Sequence, residues 1–332
     1  MKSKAVAAIT DLTRYDNEDF LAWKIRCCLA KRRGETDMDW VEIRDMLGLD
    51  IHPDQLRKMA VGYDEYDQYI NMGERVATRV LALSDFHVPF NLPAETFKRY
   101  RNKVDILVLN GDIQDCQSIS SFTKRYRVPF AEEMIATREF LIELIELISP
   151  KKVFITKGNH EYRMVKYLSD RLNEDLLNIM PDTPLDLIIN DGFKNNNRYS
   201  RTSTWYDPLR DVFADKGTDV VYTGDWFVKV GKVIFAHPLS YSSGMLKTTE
   251  KAVNFFLRQD RDFEAIVLGH THKLGSYIQG GIAMFEQGCC CDLEKLDYAD
   301  GKLFLPNQNG FLFMGLDKNG SPIKNQTQLI EL

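Results

Sequence analysis

Five short apolar runs in this chain end in the same way, and that repetition limits what the chain can fold into. Leu81-Ala-Leu-Ser leads to Asp85 and His87, two residues apart. Val104-Asp-Ile-Leu-Val-Leu-Asn110 leads to Gly111, Asp112 and Asp115, and Lys152-Val-Phe-Ile-Thr156 leads to Gly158-Asn159-His160-Glu161. Val233-Ile-Phe-Ala236 stops at His237, and Ala265-Ile-Val-Leu268 stops at Gly269-His270-Thr271-His272. Apolar runs of this length read as buried strands. In open α/β sheets, ligands collect beyond the carboxyl ends of such strands. Five strand ends delivering Asp, Asn and His to one place describe a metal site.

The length of 332 residues suits one large domain plus a small one. Hydrophobic residues make up 44% and aromatic ones 11%, enough for a sizeable core. A formal charge of −5 argues against a polyanion binder with an all-basic surface, while leaving room for a local basic groove. No apolar run reaches bilayer-spanning length and Met1-Lys-Ser-Lys lacks a signal-peptide core, so a cytoplasmic location without membrane association is expected. The six cysteines stand as Cys27-Cys28, Cys116 and Cys289-Cys290-Cys291. Neighbouring cysteines suit neither a disulfide framework nor zinc-finger spacing, so they read as reduced packing residues. Cys116 is singled out only because it sits inside the Asp112 block.

Residues 1–75 are helical in pattern. Asn17-Glu-Asp heads a run from Phe20 to Leu29 that ends in Lys31-Arg-Arg33-Gly34, a second helix runs from Asp37 to Leu47, and a third starts at His52-Pro53-Asp54. Val41 to Asp50, with Gly48 at the turn and Leu56-Arg57-Lys58 following, resembles a helix-turn-helix able to contact DNA. A small bundle that packs or forms a homodimer fits the same pattern. Tyr63, Tyr66 and Tyr69 at three-residue spacing read as a packing stripe. The second domain is expected over residues 76–332. In it, Ala131–Ser149 is an amphipathic helix closing a βαβ crossover, and residues 163–216 form a long polar insert with Arg198 and Arg201, read as a lid or cap. Gly231 and Asn319-Gly320 mark hairpins.

Taken together and in order, Asp85-x-His87, Gly111-Asp112-x-x-Asp115, Gly158-Asn159-His160-Glu161, His237 and Gly269-His270-x-His272 resemble the five signature motifs of the calcineurin-like metallophosphoesterases. Of the six histidines in the chain, five fall in these blocks. The resemblance implies an α/β fold in which two mixed β-sheets pack as a sandwich flanked by helices. It also implies a phosphoryl-transfer site with two divalent ions about 3.5–4 Å apart, which acidify a bridging water and clamp the non-bridging oxygens. Carried over residue by residue, Asp112 would bridge the metals, with Asp85, His87 and His272 completing one site and Asn159, His237 and His270 the other. His160 would stay unligated as the general acid, oriented by Asp115. Manganese is favoured, with iron or zinc also suited to this thiolate-free donor set.

Cys116-Gln117 stands where the serine/threonine protein phosphatases of this superfamily carry an Arg-Gly pair. Without that arginine, a phosphodiesterase is favoured over a protein phosphatase. Lys157, Arg163, Lys166 and Lys273 lie beside the motifs, with Arg163 the expected substrate contact. Ser240-Tyr-Ser242-Ser243-Gly244 before a helix with Lys247 is expected to hold a phosphate neighbouring the one cleaved. The function expected is therefore a nuclease-like phosphodiesterase acting on nucleic acid. Its rivals are a phosphatase of nucleotides, cyclic nucleotides or other phosphomonoesters, and a non-catalytic DNA-binding module. The helical start also resembles phosphoesterases carried by bacterial viruses.

Overall fold

The computed structural model describes residues 12–15, 18–74, 76–122, 127–197, 200–242, 244, 246–259, 262–295 and 307–332. The chain divides into two compact units, Met1–Arg75 and Val76–Leu332.

In the first unit, α1 (Phe20–Arg33), α2 (Trp40–Met46) and α3 (Pro53–Glu74) enclose a small core of Cys27, Cys28, Ile43, Leu47, Leu56 and Ala60. Local chemistry sets the helix ends. Asp19 caps α1 by accepting from the Ala22 amide at 2.8 Å, and Gly34 ends it at φ 72°. The expected head residue Asn17 lies outside the described residues. Asp39 and Glu42 form a reciprocal capping box on α2. Arg32 and Arg33 both reach Asp64, at 2.8 and 3.1 Å, which ties α1 to α3. The tyrosine stripe does not hold together: Tyr63 packs on the core while Tyr66 is 61% exposed. Three-residue steps drift by about 60° per step around a 3.6-residue helix, so they cannot keep one face. The side chain of Tyr69 lies outside the described residues.

The second unit runs in chain order through β1 (Thr78–Leu83), β2 (Ile106–Asn110), α4 (Phe130–Ile148), β3 (Lys152–Thr156), α5 (Tyr162–Ser169) and α6 (Glu174–Leu177). It continues with β4 (Phe193–Asn197), β5 (Thr202–Tyr206), α7 (Leu209–Ala214), β6 (Asp219–Tyr222), β7 (Phe227–Val230) and β8 (Val233–Ala236). It closes with α8 (Lys247–Gln259), β9 (Ala265–Leu268), β10 (Leu274–Gln279), β11 (Ile282–Gln287), β12 (Gly310–Leu316) and β13 (Pro322–Glu331). Six strands pair in the order β13-β12-β1-β2-β3-β6 and five in the order β10-β11-β9-β8-β7, while β4 and β5 form a separate ribbon.

Period-two alternation explains why the runs are apolar throughout. Val80, Ala82 and Val108 of the first sheet meet Val233, Phe235, Ala265 and Val267 of the second in one core layer. Their neighbours Leu81, Leu83, Leu107 and Leu109 point the other way, under α4. Ile234, Ala236, Ile266 and Leu268 likewise face Val253 and Phe256 of α8. Strands buried on both faces must be apolar at every position, and the result is a sandwich with helices outside. Because β1, β2 and β3 are mutually parallel, as are β8 and β9, each set ends on one edge.

The 163–216 stretch holds α5, α6, the β4–β5 ribbon and α7, and Leu185, Ile188, Ile189, Leu209 and Phe213 from it are fully buried in the main core. Arg198 lies outside the described residues. The hairpins at Gly231 (φ 58°) and Gly320 (φ 79°) join β7 to β8 and β12 to β13. Among the described residues no helix is long and apolar enough to cross a membrane.

Candidate metal centre

The ends of β1, β2 and β9 leave their sheets through left-handed backbone. Of the ten non-glycine residues at positive φ among those described, five are Asp85, His87, Asp112, His270 and His272. Left-handed backbone costs these residue types of order 1 kcal/mol or more each, and such strain gathers where side chains are aimed for function. The loops are laced together. The Asp85 amide donates to Gly111 O at 3.1 Å and the His87 amide to Asp112 O at 3.0 Å, while His270 N–H donates to both oxygens of Asp85. A β-carbon on Gly158 would stand 2.0 Å from Asp112 Oδ1, so only glycine lets the third loop close on the second.

Six of the seven expected ligands gather into two donor groups. Donor atoms of Asp85, His87 and His272 all lie within 4.8 Å of one another, and so do those of Asp112, His237 and His270. Asp112 also groups with His87 and His160, which puts its carboxylate between the two sets. The seventh, Asn159, places its Oδ1 3.2 Å from His237 Nε2. His237 Nδ1 is 2.8 Å from the Asn110 carbonyl. A proton donated there leaves Nε2 as the free donor, 3.3 Å from Asp112 Oδ2. His87 Nε2 and His272 Nε2 converge to 3.1 Å, and His272 Nε2 lies 3.1 Å from Asp85 Oδ1.

Charge is crowded here. Burial would raise Asp85, but the His237 and His272 imidazoles hold it down at about 2. Burial also works against Asp112 ionising, yet His160 and His237 keep it well below the carboxylate range. His237 rises to about 10 and His272 to about 9: burial opposes both, and Asp112 and Asp85 prevail at the first and Asp85 at the second. His87 falls to about 4 through burial and the His160 charge, and His270 to about 4 through burial and the His237 charge. Two buried carboxylates thus demand positive charge, which a divalent cation would supply in place of protons. The Nε2 atom of His270 is buried with no hydrogen-bond partner. Buried polar atoms are rarely left so, and an imidazole nitrogen in this setting suits a metal. The donor set therefore fits the divalent ions expected from the sequence.

His160 sits beside this centre with its Nδ1 2.8 Å from Asp115 Oδ1 and its Nε2 3.7 Å from Asp112 Oδ2. Arg163 grips the same ring: Nη2 is 2.9 Å from His160 Nε2, and Nη1 donates to the Asp115 carbonyl at 2.7 Å. Lys247 is placed differently from its expected phosphate-binding role. Three residues from Glu250 on an exposed helical face, it pairs with that carboxylate at 2.7 Å. Lys251 is instead the cation beside a hollow lined by Trp226, Ser240, Tyr241, Ser242 and Phe255, with its Nζ 2.6 Å from Ser242 Oγ. Ser243 lies outside the described residues. Tyr241 stands edge-on to His270, ring centres 5.3 Å apart.

Glu161 of the third motif has a part that its place in the sequence does not announce. The buried Glu161 carboxylate accepts from the amides of Asp112, Ile113, Gln114 and Gly158. Nothing in its residue type marks that role, since the four donors are backbone groups brought near only by folding.

The family model described as calcineurin-like phosphoesterase matches residues 78–274, more than half of the chain. Among curated proteins, none matches the sequence. Similar solved structures include an archaeal phosphodiesterase (16% identity, covering 76% of this chain and 99% of that one, TM-score 0.36). Others are the zinc complex of wild-type Vps29 from Entamoeba histolytica (14%, 76% and 98%, 0.35) and vacuolar protein sorting 29 from Cryptosporidium parvum (14%, 77% and 98%, 0.35).

Proposed function

The chain belongs to the calcineurin-like phosphoesterase family, and from that premise we propose that it hydrolyses phosphodiesters in nucleic acid at a centre of two divalent ions. The observation that carries this reading is the His160–Asp115 pair standing beside Asp112, whose carboxylate groups with His237 and His270 and also with His87 and His160. Asp85, His87 and His272 would hold one ion, Asn159, His237 and His270 the other, and Asp112 both. Bound divalent ions supply a nucleophile from water at neutral pH and cover for the charge on phosphoryl oxygens.

The chain's own groups supply the rest. Asp115 holds the Nδ1 side of His160, so Nε2, which here accepts from Arg163, is the atom left to face the leaving oxygen and would protonate it once substrate takes the place of that contact. Arg163, fixed by the Asp115 carbonyl, presents a cation where a substrate oxygen meets His160. Where the protein phosphatases of this superfamily carry their arginine, Cys116 and Gln117 are buried, and the Gln117 amide donates to Glu133 at 2.9 Å. A diester carries one negative charge on its non-bridging oxygens and a monoester close to two, so this site suits the diester. The aromatic hollow with Lys251 next to His270 suits a base and a neighbouring phosphate.

Manganese is the metal we favour. Parallel assays on manganese-reconstituted protein with a chromogenic phosphodiester, a phosphomonoester and labelled DNA test the reading. Faster turnover of DNA and diester supports it, and preference for the monoester replaces it with the nucleotide-phosphatase alternative. For the helical unit we propose DNA contact through the exposed Arg57 and Lys58. Exchange of both for alanine should weaken DNA retention and reduce its salt slope by up to about 2; an unchanged slope leaves the unit a packing or homodimerising module.

A further inference from the structure

We propose that His272, Cys289 and Cys291 form a further site, adjoining the Asp85 group and sharing His272 with it, for a thiophilic metal ion of the zinc–cadmium class. The nitrogen and the two sulfurs lie within 4.8 Å of one another, and all three residues are buried. Alternation along extended backbone produces the pair: Cys290 turns into the main core beneath α4, while Cys289 and Cys291 face together into a small pocket with Phe90 and Leu293. The backbone there is held from three sides. Cys289 bridges to Asn309, Cys291 bridges to Asn91, and the Cys290 amide donates to Ser84 O at 3.0 Å.

One side chain fixes the spacing of the two cysteines. Asn309 Nδ2 donates to the carbonyls of Cys289 at 3.1 Å and Cys291 at 2.7 Å, and lies 3.7 Å from Cys289 Sγ. Cys289 Sγ donates to the Gln308 carbonyl at 3.3 Å, and a bound ion would take the place of that thiol proton. Two sulfurs and one imidazole nitrogen make a soft donor set, and three protein ligands are the number found in open zinc sites. The hard ions favoured by the Asp85–Asp112 centre would not choose it. Because His272 belongs to both groups, an ion held by the sulfurs draws that imidazole away from Asp85 and His87.

Titrating the full chain with cadmium, without added thiols, reads the site directly. Cadmium bound only by nitrogen and oxygen is silent in the ultraviolet, whereas a sulfur-bound ion gives a charge-transfer band. The band is expected to saturate at about one sulfur-bound ion per chain. It should vanish in the Cys289→Ala/Cys291→Ala double variant and persist in Cys290→Ala. Absence of the band in the wild-type chain, or an undiminished band in the double variant, overturns the proposal. If the double variant does not fold, X-ray absorption of the cadmium-loaded wild type must show sulfur neighbours, and Cys289→Ser must weaken the band by about half; failure of either is equally decisive. Neither readout needs turnover, so failure here leaves the phosphodiesterase reading standing, and an inactive enzyme leaves the thiol site standing.

Discussion

The amide of Asp112 donates to Glu161 Oε2 at 3.1 Å, and the Gly158 amide shares that oxygen at 2.8 Å while Ile113 and Gln114 occupy Oε1. One buried carboxylate therefore clamps the second loop to the third, close to the side chain that two donor groups share. Glu161→Gln keeps the size but turns one acceptor oxygen into a donor, leaving two buried amides facing an N–H group. At about 1–3 kcal/mol for each unpaired group, we expect a loss of about 3 kcal/mol. Urea unfolding measures it, and a loss under about 1 kcal/mol would contradict the clamp.

Chemistry and metal holding separate in two neighbouring variants. His160→Gln removes a group placed at the edge of the donor groups, and is expected to retain metal while losing roughly 10²–10⁴ in turnover. Asp112→Asn removes the charge common to two donor groups and is expected to lose metal. Elemental analysis beside a turnover assay distinguishes them; full metal content in Asp112→Asn removes the bridging role.

Much of this arrangement was legible in the residues, for a physical reason. Strands buried on both faces are apolar at every position, so the Asp, Asn and His that follow them stand out, as at Leu81–His87 and Ala265–His272. What could not be read was anything set by a backbone donor or a change of face. Glu161 is an ordinary carboxylate until four amides surround it. Cys289 and Cys291 looked like packing residues because adjacency hid their shared face, and His272 joins them from a distant loop. The Lys247 expectation met the same limit, since its i+3 partner Glu250 competes for it and Lys251 takes the pocket side.

That last difference is itself testable. Lys251 lies at the hollow near Tyr241, whereas Lys247 is paired on the exposed face of α8. Lys251→Ala is expected to raise the KM for an oligonucleotide about tenfold, equivalent to roughly 1.4 kcal/mol. Lys247→Ala should leave KM unchanged. The reverse pattern would put the neighbouring phosphate outside the hollow.

Glu133 links the same region to pH. It is buried in α4, and both its oxygens accept from the Gln117 amide, at 2.9 and 3.2 Å, two residues beyond Asp115. Burial first, and the Asp115 charge next, raise it from an ordinary 4.5 to about 7, against the pull of the Gln117 amide. The folded chain therefore binds this proton more tightly than the unfolded chain does. Below about pH 4.5 both forms are protonated and the group adds no slope. As pH climbs from there to about 7 the unfolded form ionises first and stability falls, by an amount approaching 3 kcal/mol. Above about 7 both are ionised and the loss stays constant. Glu133→Gln keeps an acceptor for the Gln117 amide but cannot ionise. Its unfolding free energy should fall less than that of the wild type between pH 5 and pH 8, by about 2–3 kcal/mol. Urea titrations of both proteins at the two pH values give the difference, in which every other titrating group cancels. Parallel declines would mean that Glu133 keeps an ordinary proton affinity in the fold.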